Sequence, residues 1–195
     1  MSHSADAASN ASLNTQQTAS LRPYRGITPT LPSSTYIDPS AVVIGDVHLG
    51  TDCSVWPLTV IRGDVNQVRI GDRSNIQDGC VIHVSRPTSK YPEGFLTQIG
   101  EDVTIAHKVM LHGCTIGNRV MIGMGAIVLD GAVIEDEVMV GAGALVTAGK
   151  RLASGYLYVG SPARQARALS DSERQHFVTS ANNYVALKND YAAQD

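Results

Sequence analysis

The sequence predicts an all-β solenoid, a coil of short parallel strands joined by tight turns, with a C-terminal α-helix laid against it. Three observations predict this class. Aliphatic residues recur at six-residue spacing between Ile37 and Leu152. Large rings are scarce, with aromatics at 5% and Gly at 18 of 195 residues, against a usual Gly share of roughly 7%. A capping box, Ser170-Asp171-Ser172-Glu173, opens a helix after the periodic region ends.

Residues 1–20 (MSHSADAASNASLNTQQTAS) are rich in Ser, Ala, Asn, Gln and Thr and have little to bury, so a mobile segment is expected there. The repeat domain is placed at 21–163. Its marked positions are Ile37, Val43, Leu49, Val55 and Ile61, then Ile70, Ile76 and Ile82, then Ile99, Ile105 and Leu111. A last run follows at Ile116, Ile122, Val128, Ile134, Val140, Val146 and Leu152. A helix cannot hold this register, because six residues at about 100° each leave the stripe about 240° around the axis. A period of two divides six and keeps every marked residue on one strand face.

Small residues two places before many of these positions (Ala41, Cys53, Cys80, Ala126, Ala144) fit a narrow interior shared by successive coils. The count breaks twice, by about three residues between Ile61 and Ile70 and by a longer excursion from Val84 to Gln98. Protruding loops are expected at both places. Ser161-Pro162 marks a turn, and 164–195 is assigned to a helix running to about Tyr191 and packing along the coil.

Composition removes several function classes. The 15 Lys+Arg against 18 Asp+Glu give a net charge of −3, without the basic cluster of a nucleic-acid binder or a polybasic membrane patch. No run of about 18 apolar residues and no leader-like start occurs, so a cytoplasmic protein is expected. Cys53, Cys80 and Cys114 fit neither a disulfide framework nor a paired zinc motif, and core packing is the default for Cys53 and Cys80. Cys114, two residues from His112, has a thiolate soft enough for zinc but is kept as a neighbour because three His are available. Small molecules and other protein chains are the partners left.

The histidines carry the chemistry. With the 84–98 excursion absorbed as a loop, His83 and His112 each follow the aliphatic residue of one face and stack on consecutive rungs about 4.8 Å apart. Both imidazoles could reach one metal ion. His107 lies two places after Ile105 on another face, up to roughly 16 Å of chain from His112, so one subunit is not expected to bring all three together. A second copy could supply the third ligand, and a cyclic homotrimer with sites at its interfaces is the economical arrangement. Three His and an open position form a catalytic zinc set, although Fe²⁺ and Co²⁺ suit the same ligands. Arg62 precedes His83 by one coil and Asp78 precedes His107 by one coil, with Asp64, Asn75 and Gln77 close by.

Arg62-Gly63-Asp64, the stretch from Gly71 to Gly79 (GDRSNIQDG), His83, Ala106-His107 and His112-Gly113 together resemble the gamma-class carbonic anhydrases and their bacterial homologues. The resemblance spans about Tyr36 to Ala163. It implies a left-handed parallel β-helix of hexapeptide repeats, a handedness that periodicity does not supply. It further implies reversible hydration of carbon dioxide to bicarbonate by a zinc-bound hydroxide. His83 and His112 would come from one subunit and His107 from its neighbour. Arg62 and Asp78 would pair across the interface, Asp64 would support the trimer, Gln77 and Asn75 would orient the reacting oxygen or bicarbonate, and Tyr184 would bring a hydroxyl to the pocket mouth.

Two departures from the family pattern imply slow turnover. Val65 stands where the best-known active members place Glu, and the stretch after His83 (SRPTSKYPEGFLTQ) has Glu93 as its single carboxylate. Two other functions use the same prism: a hexapeptide-repeat acyltransferase or acyl-CoA thioesterase, and a non-catalytic trimer stabilised by zinc. A transferase needs no paired His column, so the column argues against it, whereas a metal-dependent thioesterase is compatible with it.

Overall fold

A computed structural model describes residues 20–194. The expected mobile segment at 1–20 therefore lies, apart from Ser20, outside the described residues. The periodic region is a parallel β-solenoid with three faces. One face stacks Tyr36–Ile37, Ser54–Val55, Asn75–Ile76, Thr104–Ile105, Met121–Ile122, Met139–Val140 and Tyr156–Val159. The two long strands Val42–Leu49 and Val60–Ile70 cross a corner and belong to both other faces. Their first halves lead into Val81–His83, Met110–His112, Ile127–Val128 and Leu145–Val146, and their second halves into Thr97–Ile99, Thr115–Ile116, Val133–Ile134 and Arg151–Leu152.

The predicted columns are the core. Ile76, Ile105 and Ile122 pair in register on the first face, Ile61, Ile82, Leu111 and Val128 on the second, and Ile70, Ile99, Ile116 and Ile134 on the third, all buried. Cys80, Ala126 and Ala144 fill the narrow inner corner. Between the first and second faces the chain turns tightly enough to need positive φ, and Gly79, Lys108, Gly125 and Gly143 stack at that spot. Glycine there avoids the Cβ strain that Lys108 accepts.

Both interruptions protrude, in different ways. Gly45 pairs with Gly63 and Val47 with Val68, so residues 64–67 stand opposite Asp46 alone. The three extra residues are thus a bulge inside one continuous strand rather than the separate loop expected from the sequence, since backbone pairing resumes at once on either side. The second interruption is a true loop over 84–96, ending in the strand Thr97–Ile99. Ser85 and Phe95 close its neck with mutual backbone bonds of 2.9 and 3.0 Å. Asn66 on the bulge donates its amide to the Ser85 and Glu93 carbonyls, at 3.0 and 2.8 Å, and ties the two protrusions together.

After Ser161-Pro162, a cis bond, Arg164–Ala168 adds antiparallel to Tyr156–Val159. The helix begins later, at Asp171–Ala192, with the capping box formed: Glu173 N donates to Ser170 Oγ and Ser170 N to the Glu173 carboxylate. It packs on the first face through Phe177 and Ala181. Ser180 Oγ bonds Thr104 Oγ1 at 2.8 Å, and the Trp56 ring meets Tyr184 and Tyr191 edge-on. The buried Lys188 is neutralised by Asp52 at 2.9 Å. No helix among the described residues is long and apolar enough to cross a membrane.

Candidate metal centre

The second face has chemistry at both borders. On the border shared with the third face, His83 and His112 are directly paired residues of adjacent strands. Asp64, carried outward by the bulge, accepts from His83 Nε2 at 2.9 Å and from the Arg62 guanidinium. Burial works to raise the Asp64 carboxyl, but the hydrogen bonds from His83 and Arg62 outweigh it and hold it below the usual carboxylate value. Asp130 accepts from His112 Nδ1 at 2.7 Å, and Ser85 Oγ donates to the other Asp130 oxygen at 3.0 Å.

These carboxylates fix what the rings present to each other. A carboxylate only accepts, so His83 Nε2 and His112 Nδ1 both carry their protons toward Asp64 and Asp130. The remaining nitrogens, His83 Nδ1 and His112 Nε2, face one another at 3.2 Å, with the rings edge to face. In neutral rings both would point lone pairs into the same gap, an arrangement that calls for a shared cation. Two imidazoles on one tetrahedral zinc, with bonds of about 2.0–2.1 Å, hold their nitrogens about 3.3 Å apart. The pair therefore fits a borderline metal ion, with the outer carboxylates in the supporting place such sites require.

The opposite border, at the turn from the first face, holds His107. Its Nδ1 donates to Asp78 Oδ2 at 2.8 Å and both side chains are about half exposed, at 47% and 49%. This leaves Nε2 for another partner. Beside them, Asn75 and Gln77 are buried: Gln77 donates to Asn75 Oδ1 at 3.1 Å, and Asn75 donates to Thr104 Oγ1 at 3.1 Å. Asn75 thus anchors Gln77 and the helix-facing Thr104. Tyr184 is half-buried, and its hydroxyl is pushed above the usual tyrosine value by burial and by the nearby Asp78 charge, so it stays protonated.

Within the chain, then, Arg62, Asp64, His83 and His112 form one group, and Asn75, Gln77, Asp78, His107 and Tyr184 the other. Arg62 bonds Asp64 and Asp78 bonds His107; the Arg62–Asp78 pair implied by the resemblance would require a partner chain. Among the described residues no three His, Cys, Asp or Glu side chains gather as a ligand set. All three thiols are buried in the core, and burial pushes Cys53 and Cys80 to about 11 and Cys114 to about 12, so they stay protonated.

Asp130 is the residue that sequence reasoning missed. It lies two places after Val128, not one, and so falls outside the His column. Its side chain leans over Gly113, where an added Cβ would lie 2.3 Å from Asp130 Oδ1. The available signal was the bare Gly113 directly after a ligand candidate.

Comparison with known proteins places this geometry in a family. The family described as "Bacterial transferase hexapeptide (six repeats)" matches residues 113–148. Protein YrdA of Escherichia coli (strain K12) is 60% identical over 89% of this chain and 95% of its own length. A protein named probable carbonic anhydrase from Methanocaldococcus jannaschii is 48% identical over 75% of this chain and 88% of its own. The mitochondrial gamma carbonic anhydrase 1 of Arabidopsis thaliana is 44% identical over 86% of this chain and 60% of its own. With 60% and 48% identity to YrdA and the Methanocaldococcus jannaschii protein, of whose lengths it spans 95% and 88%, this chain belongs to the gamma-class carbonic anhydrase family of hexapeptide-repeat proteins.

Proposed function

We propose that the protein catalyses the reversible hydration of carbon dioxide to bicarbonate at metal sites shared between copies of the chain in a homotrimer. The observation that carries this reading is the pair of facing ring nitrogens, 3.2 Å apart, with both outer nitrogens bonded to carboxylates. The third ligand is His107 of a neighbouring copy, presented by Asp78 with Nε2 outward. Zinc is the expected ion, and Fe²⁺ or Co²⁺ fits the same nitrogen set.

Support for a shared site comes from the face between the two borders. Its outward column, Val60, Val81, Met110, Ile127 and Leu145, is apolar and in register, and Val81, Met110 and Ile127 are 38%, 43% and 37% exposed. Such a stripe calls for cover. A head-to-tail contact that buries it against the next copy brings the His83 and His112 border toward a His107 border, and rotation closes the ring.

His83, His112 and a neighbouring copy's His107 would hold the ion, which would lower the pKa of a bound water to about 7. The chain supplies the rest. Asp64 and Asp130 hold the two rings in the tautomers that leave lone pairs toward the ion, and Arg62 steadies Asp64. Gln77, fixed by Asn75, orients the reacting oxygen and the bicarbonate, while the protonated Tyr184 hydroxyl bounds the mouth. No carboxylate follows Asp64, where Val65 packs partly on the core, so proton export relies on buffer or on Glu93 and limits turnover.

The test is metal content per chain with stopped-flow hydration and mass, on wild type and His107→Ala. One ion per chain in a trimer, lost with hydration in the variant, supports the proposal. Metal without hydration shifts the reading to thioester hydrolysis or assembly, and no metal at all overturns the site.

A further inference from the structure

A second recess lies outside the histidine pair. The 84–96 loop overhangs a hollow of about 550 Å³ whose walls include Arg86, Tyr91, Phe95, Asp130, Ala148 and Gly149. This is within the roughly 300–1,000 Å³ of small-molecule sites and far more than carbon dioxide or bicarbonate would occupy. The hollow is preformed. The Ser85 and Phe95 backbone bonds close the loop neck, Asn66 clamps it from the bulge, and Gly94 N and Thr88 N both donate to the Tyr91 carbonyl at 2.9 Å. Tyr91 and Phe95 form one apolar wall, their ring centroids 4.8 Å apart. Ala148 and Gly149 make a flat floor, and a Cβ built on Gly149 would meet nothing within 4 Å.

The polar groups define the occupant. Asp130 has both oxygens engaged, by His112 and Ser85. Arg86 is exposed and, like Arg22, Arg25 and Arg164, has no ion pair among the described residues, but of these four it alone lines the hollow. Arg86 also lines a smaller recess of about 290 Å³ with Arg25 and Asp64. It therefore stands between two openings, one reaching the partner of His112 and the other the partner of His83. Its planar fork suits a carboxylate, and a single negative charge balances it without adding repulsion against Asp130.

We infer that this hollow is a binding site for an organic monocarboxylate with a compact apolar body, its carboxylate on Arg86 and its body between the Tyr91–Phe95 wall and the Ala148–Gly149 floor. The site is contained in one chain and needs neither the metal nor a neighbouring copy. A ligand there sits against Asp130, beside the chemistry proposed above, but the inference stands apart from that reading.

Titration calorimetry with benzoate as the probe and acetate as the control, on the full-length protein as purified with metal and after chelator treatment, tests this directly. One benzoate per chain is expected in both forms, with acetate at least about tenfold weaker because it leaves the apolar wall uncovered. Arg86→Gln is expected to weaken benzoate by about tenfold, and Ala148→Leu, which fills the floor, to abolish it; neither should change metal content. Absence of saturable binding, binding only in the metal-loaded form, equal affinity for acetate, or benzoate affinity unchanged in both variants would each overturn the inference. Because chelated protein is one arm, failure of the hollow is distinguishable from failure of the metal site.

Discussion

The coils from Thr115 to Leu152 and those from Val60 to His112 are built on the same six-residue rule but differ in what they carry. In the first set every strand is two residues long and its second residue is buried, and no predicted site residue falls there. In the second set a bulge and a loop break the count, and the set holds Arg62, Asp64, Asn75, Gln77, Asp78, His83, His107 and His112. The family match at 113–148 covers all of the regular coils but the last strand. Regularity makes the scaffold recognisable, while departures from it place the side chains that do chemistry. Asp130 is where the regular coils reach back to the site.

The sharpest way to break this comparison is to damage each region and watch the other. Ile122→Ala empties a fully buried position of the regular coils. It is expected to cost about 2–5 kcal/mol of stability in denaturant unfolding. Metal content should be unchanged under native conditions, and loss of metal there would show that the two regions are not separable.

A smaller effect is expected from Asp130→Asn, which keeps an acceptor for His112 but removes its charge. Metal affinity should fall about 10–100-fold, read by competition with a chelator and by the absorption spectrum of the cobalt-loaded protein. Stability of the metal-free protein should be little altered. If affinity is unchanged, the regular coils contribute nothing to the site.

Smallest is the effect at the first turn of the helix, where Glu173 pairs with Arg167 and Ser170, outside both sets of coils. The Arg167 guanidinium and the Ser170 N–H pull the Glu173 carboxyl down to about 2 from its ordinary 4.5. A carboxyl depressed on folding stabilises the protein above its unfolded value, and that support fades as pH falls from 4.5 toward 2. Glu173→Gln is expected to flatten the fall in helix melting across that window. Because the group is exposed, an unchanged profile would mean that solvent screens the pairing.

The solenoid was legible in the sequence because a six-residue period survives only on strands, and Ile76, Ile105 and Ile122 announce their column without help from the rest of the chain. The His83 and His112 pair was legible for the same reason, since both occupy one offset in the repeat. The bulge is not legible as a bulge, because a count of extra residues does not say whether pairing resumes within the same strand. Asp130 was not legible, because its contact with His112 depends on the empty space over Gly113, and periodicity records positions rather than directions. The strand Arg164–Ala168, inside the expected helix segment, is not legible either: its residues are all exposed, so it lacks the buried alternation that marks a strand.

The Asn66 clamp has a consequence for ancestry and engineering. Its amide bonds both the Ser85 and Glu93 carbonyls, so the bulge and the loop form a single appended cassette. A lineage that lost the loop would strand the amide of the bulge, and one that lost the bulge would leave the loop neck without its brace. The two insertions should therefore be inherited, deleted or transplanted together, onto any coil of this cross-section that offers a Gly at the height of Gly113.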